Sequence, residues 1–213
     1  MNKPDASPEM ERPSTGAPED AREKPRFALL LRSAKLVGER GEHLCIVRDV
    51  SETGVRLRLF APLDGEKDLR LEIQTGQQIP VFCVWERDGE AGFRFGEPID
   101  LVQFISEEGP YPKRSVRVKL DHPAMLHYGG VSMPARICNL SREGAGIETE
   151  AKLAIRQNLR IESDFLPTFE AIVCWRRHPE YGLALNQVMS LSELAERTHA
   201  LQIADRAHPR QAS

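Results

Sequence analysis

The chain has 213 residues, 40% of them hydrophobic, and sets 29 Lys and Arg against 32 Asp and Glu for a formal net charge of -3. That acidity argues against a general nucleic-acid binder, which carries a basic excess to gain counterion release. No apolar run approaches bilayer length and the polar start lacks the apolar core of a secretion signal, so the expectation is a cytoplasmic protein with no membrane insertion.

The first 26 residues hold no Leu, Ile, Val or aromatic side chain and five of the fifteen prolines, a composition that cannot build a core. Residues 1–21 are expected to be a disordered N-terminal segment. From Phe27 the texture changes to short apolar runs, FALLL, HLCIVRDV, GVRLRLF, LRLEI, IPVFCVW and AGFRF, separated by turn residues and charges. Each reads as a strand, and their spacing predicts a sandwich or small barrel. A helical stretch, IDLVQFISEE, closes this unit at about residue 108, and EEGPYP contains a linker over 109–112. The second unit, 113–202, offers RVKL, PAMLHY, SMPARICNL, GAGIETE, LRIES, FEAIVCW and GLALNQV as strands, followed by the helical SLSELAERTHALQIA. Residues 203–213 read as a flexible tail.

The two units are copies. Asp49/Asn139, Ser51/Ser141, Gly54/Gly144, Trp85/Trp175 and Gly92/Gly182 all pair at an offset of ninety, and Arg87/Arg177 and Glu90/Glu180 keep it. A repeat of this length means tandem globular domains rather than a solenoid.

Several residue types attract a structural reading. Cys45, Cys83, Cys138 and Cys174 lack any CxxC pairing and sit inside apolar runs, as small buried hydrophobes do. Trp85 and Trp175 lie in apolar strands and read as core. The six histidines form no metal-binding spacing, and no histidine recurs opposite Ser51 and Ser141 in both units, so neither a metal nor an enzymatic activity is expected.

The recurring turns DVSETG (Asp49 to Gly54) and NLSREG (Asn139 to Gly144) would by themselves be polar hairpins. Each, however, follows a basic pair: Arg22 and Arg26 in the first unit, Lys113 and Arg117 in the second. Arg22-x-x-x-Arg26 precedes Asp49-x-Ser51-x-x-Gly54, and Lys113-x-x-x-Arg117 precedes Asn139-x-Ser141-x-x-Gly144. This pattern resembles the PilZ family, RxxxR followed by (D/N)xSxxG, over about residues 22 to 200. The resemblance implies an all-β fold: two tandem six-stranded antiparallel barrels, 22–108 and 113–202, each followed by a short helix.

It also implies a receptor for cyclic di-GMP (c-di-GMP), with no other cofactor. Arginine forks onto phosphate or the guanine O6/N7 edge and stacks on the base, while Asp49 can accept from guanine N1-H and N2-H2. Ser51 would supply a hydroxyl, and Gly54 would let the backbone turn without crowding. The first site is thus Arg22, Arg26, Asp49, Ser51 and Gly54. The second is Lys113, Arg114, Arg117, Asn139, Ser141 and Gly144, expected to be weaker because lysine cannot fork, with Arg114 a neighbouring substitute. Ligand would reset the packing of the two barrels and so the contact with an effector protein. The alternative is a degenerate PilZ adaptor that works by protein contacts without nucleotide. An oligonucleotide-binding barrel needs exposed aromatics on a basic groove, which 6% aromatic content and net acidity disfavour.

Overall fold

The computed structural model describes residues 27–106 and 115–207. The expected disordered segment and linker, and the tail beyond 207, lie outside these residues. Those described form twelve strands and two helices. The first unit is β1 (Phe27–Gly38), β2 (Gly41–Ser51), β3 (Gly54–Leu59), β4 (Leu69–Glu72), β5 (Gln78–Arg87), β6 (Glu90–Phe95) and α1 (Leu101–Ser106). The second is β7 (Val118–Tyr128), β8 (Val131–Leu140), β9 (Gly144–Glu148), β10 (Asn158–Glu162), β11 (Phe169–Arg177), β12 (Glu180–Leu185) and α2 (Leu191–Ala207).

Each unit closes into an antiparallel barrel, in the orders β1-β2-β3-β6-β5-β4 and β7-β8-β9-β12-β11-β10. The expected pair of six-stranded barrels, each trailed by a helix, is what forms. Alternation drives it, since side chains two apart share one face of a strand and the apolar face turns inward. Leu36/Leu126, Val47/Ile137, Leu57/Ile147, Leu71/Ile161 and Phe93/Leu183 are all buried, each pair at the ninety-residue offset. No helix among the described residues is long and apolar enough to cross a membrane.

RVKL and PAMLHY are one strand, not two. The ladder with β8 continues on both sides of a bulge between Lys119 and His122, so the polar Asp121 and His122 interrupt the apolar run without ending the pairing. The bulge in β1 is one residue longer, Ala28 pairing with Asp49 and Arg32 with Val47, against Lys119 with Asn139 and His122 with Ile137. Before the bulge the offset is therefore ninety-one. This register makes Arg26 the sequence counterpart of Arg117.

The barrels dock through an outer face of the first. β2 is buried on both faces from Glu42 to Cys45: Cys45 points into its own barrel, while Leu44 packs into the core of the second, beside Phe60. Lys35, 4% exposed, lies next to Glu42 at 2.9 Å and Glu72 at 3.1 Å. Its ammonium also donates to the Arg117 carbonyl at 2.9 Å, and Glu42 accepts the Lys119 N–H at 2.7 Å. From α2, the Gln202 side chain accepts the Glu42 N–H at 2.6 Å and donates to the Glu42 carbonyl at 2.9 Å, as a neighbouring strand would. Arg206 donates to the Arg40 carbonyl at 2.6 Å, which holds α2 in place past residue 202.

Beside this contact His43 meets Glu66 at 3.1 Å, with the His199 ring 6.1 Å from that of His43. Burial, then the proximity of His43 and Arg206, lowers the His199 pKa from its ordinary 6.5. An unfolded chain therefore takes up that proton more readily than the folded one. Stability should hold above pH 6.5 and fall as pH drops below it, until the folded His199 also titrates. Urea midpoints from pH 7.5 to 5 measure this, and His199→Gln should flatten the slope.

Candidate functional site

Both motif turns hold together by the same serine–glycine pair. Ser51 Oγ accepts the Gly54 N–H at 3.2 Å and donates to its carbonyl at 3.3 Å; Ser141 and Gly144 repeat this at 3.1 and 3.0 Å. Both serines are buried within their turns. The glycines are needed for close approach rather than for a left-handed backbone. A Cβ at Gly54 would lie 2.6 Å from the Phe93 carbonyl oxygen, and one at Gly144 2.6 Å from that of Leu183, and a paired strand cannot give way. The turns also anchor the exit from each barrel, since the Glu52 carbonyl accepts the Ile99 N–H and the Arg142 carbonyl the Met189 N–H, each at 2.9 Å.

In the second barrel the motif brings two distant residues together. Arg117 Nη1 donates to Asn139 Oδ1 at 2.7 Å, joining KRSVR to NLSREG at the barrel surface. In the first, Asp49 is 7% exposed and bound to Arg56 Nε at 2.6 Å. Arg22, Arg26, Lys113 and Arg114 lie outside the described residues. A cleft of about 610 Å³ opens between Gln77–Pro80 and Gly96–Asp100, but Glu97 and Asp100 line it and no cation among the described residues does, which ill suits a phosphate ligand.

A family model described as the PilZ domain matches residues 20–107 and 112–200. The chain belongs to the PilZ family. No curated protein sequence matches it significantly. Among solved structures it is similar to Borreliella burgdorferi PlzA in complex with c-di-GMP, at 12% identity over 83% of this chain and 93% of that one, TM-score 0.34. It is also similar to the Bacillus subtilis inhibitor of motility MotI/DgrA, at 11% identity over 85% and 99%, TM-score 0.35. A third is Escherichia coli YcgR in complex with c-di-GMP, at 12% over 84% and 89%, TM-score 0.31. Membership rests on the two matched segments, not on these overlays.

The PilZ barrels correct two readings. Trp85 and Trp175 are not core: they are 36% and 48% exposed. Strict alternation from Ile79 and Val81 would turn Trp85 inward, but a bulge between Cys83 and Trp85, repeated between Val173 and Trp175, adds one residue and flips the indole out. Each indole then lies across a glycine on the next strand, its Nε1 2.1 Å from where a Gly92 Cβ would be and 1.9 Å for Gly182. Of the cysteines, Cys45 is buried, Cys138 half-buried, and Cys83 and Cys174 exposed. Cys83 lies at the β5 bulge, whereas Cys174 follows the buried Val173 in β11, where alternation alone turns a side chain outward.

Each PilZ barrel thus carries a row of residues across four strands. In the second it runs Asn139, Gly146, Gly182, Trp175, and in the first Asp49, Arg56, Gly92, Trp85. Sequence reasoning did not single out Arg56 and Gly146 as site residues. Their signal is the ninety-residue offset, which sets an arginine opposite a glycine two positions beyond the motif.

Proposed function

We propose that this PilZ protein is a cytoplasmic receptor that binds c-di-GMP and changes the packing of its two barrels, and with it the contact to an effector protein. The observation that carries the reading is the Arg117–Asn139 pair at 2.7 Å, seated above the Ser141–Gly144 turn. A guanidinium beside a side-chain amide offers a fork to a phosphate or the guanine O6/N7 edge, together with both an acceptor and a donor for the base. Asn139 presents these groups, and Ser141 and Gly144 shape the turn that holds it. Lys113 and Arg114, just upstream, would add positive charge.

The route to a change of packing runs through the backbone. The Arg117 carbonyl is bound to Lys35 and the Lys119 N–H to Glu42, so a ligand that draws Arg117 over itself pulls on the inter-barrel contact. Calorimetric titration of c-di-GMP into the full-length chain, with GTP as the control, tests the receptor reading. Saturable heat for c-di-GMP alone is expected. No heat for either nucleotide would instead favour an adaptor acting by protein contacts. Small-angle scattering with and without saturating ligand tests the change of packing, and superimposable curves would remove it.

A further inference from the structure

We infer that the second barrel alone takes c-di-GMP, with a guanine stacked on the outward face of Trp175, and that Arg56 closes the matching surface of the first. The inference rests on the receptor reading above and reverses the expected ranking of the two sites.

The difference follows from one position. In the second barrel Gly146 stands between Asn139 and Gly182, and the Asn139 amide lies flat above it, Nδ2 2.3 Å from where a Cβ would be. Trp175 lies in the same way over Gly182. Two glycines thus form a floor on which an amide and an indole lie side by side, with Arg117 at the amide edge. The arrangement offers a flat aromatic face for a base and hydrogen-bonding groups along the base's rim.

The first barrel has Arg56 where the second has Gly146. That side chain rises from the floor, binds Asp49 at 2.6 Å and reaches Glu90 at 3.4 Å, while Arg48 approaches the other Glu90 oxygen at 3.6 Å. With Glu90 engaged by these two, Arg87 folds over Trp85, its guanidinium carbon 5.3 Å from the ring centroid. The indole face is covered by a cation and the carboxylate is already paired. In the second barrel Gly146 and Cys138 replace Arg56 and Arg48, so Glu180 takes Arg177, whose Nε donates to it at 3.0 Å. The Trp175 face is left more open, 48% exposed against 36%.

The chain has two tryptophans, which makes the assignment readable by fluorescence. Titration of c-di-GMP into the full-length Trp85→Phe variant should quench the remaining Trp175 emission saturably, with affinity within about twofold of the parent. The Trp175→Phe variant should show calorimetric binding but no quenching. Trp175→Ala, at an exposed position, should weaken binding about tenfold or more, the measure of lost base stacking. Gly146→Arg should abolish binding with an unchanged melting temperature, since the first barrel folds with arginine there. Quenching that resides on Trp85, or parental affinity in both Gly146→Arg and Trp175→Ala, overturns the assignment while leaving the receptor reading intact. Absence of binding by the parent chain would instead overturn the receptor reading and this inference with it.

Discussion

Replacing Lys35 by alanine should lower the stability of the full chain by about 3–5 kcal/mol, the usual effect of removing one member of a buried charge cluster. Lys35 sits between Glu42 and Glu72, with side chains 5%, 7% and 22% exposed. Without it two carboxylates face each other away from water, and the Arg117 carbonyl loses its donor. Urea unfolding at pH 7.5 measures the loss, and an unchanged midpoint would show that the cluster is solvated in solution. Lys35→Met with Glu42→Gln should recover part of the stability, because glutamine can still accept the Lys119 N–H while Glu72 alone remains charged. If the barrels are coupled through this contact, Lys35→Ala should also weaken c-di-GMP binding although Lys35 lies behind the binding surface.

The second large effect is on function. Arg117→Ala should reduce c-di-GMP affinity by about tenfold to a hundredfold, the equivalent of one charge-assisted hydrogen bond to phosphate or guanine worth roughly 1.5–3 kcal/mol. Arg117→Lys should restore little of it, since an ammonium can neither fork nor stack. Stability should change little in either variant, because the guanidinium is exposed and the Lys35 contact is made to the Arg117 backbone. Calorimetry paired with thermal melts separates the two effects. An Arg117→Ala variant that binds like the parent would move the phosphate contact away from this residue.

Most of the barrel was legible in the chain because its causes are short-range. Leu36, Val47, Leu57 and Phe93 recur ninety residues on as Leu126, Ile137, Ile147 and Leu183, and alternation alone turns them inward. The motif turns were equally plain, although the reason for Gly54 and Gly144 proved to be the carbonyl of the neighbouring strand rather than backbone freedom. Trp85 and Trp175 were misread because a bulge moves a residue to the other face of the sheet, and no local pattern marks where the extra residue sits.

From sequence alone came the tandem repeat, the strand order along the chain, the PilZ pattern and the residues of its two motifs. These follow from periodicity and turn chemistry within a few residues of each position. Tertiary structure decided which side chains complete the surface and how the barrels meet. Leu44 faces outward from its own barrel yet is buried in the other, and Lys35 is an outward lysine held among carboxylates and a carbonyl eighty-two residues away. Likewise the closing of one surface by Arg56 and the opening of the other over Gly146 depend on which residues become neighbours across strands. Such contacts arise only when closed sheets bring distant segments together, and the physical cause lies in packing between strands and barrels rather than in the order of residues along one strand.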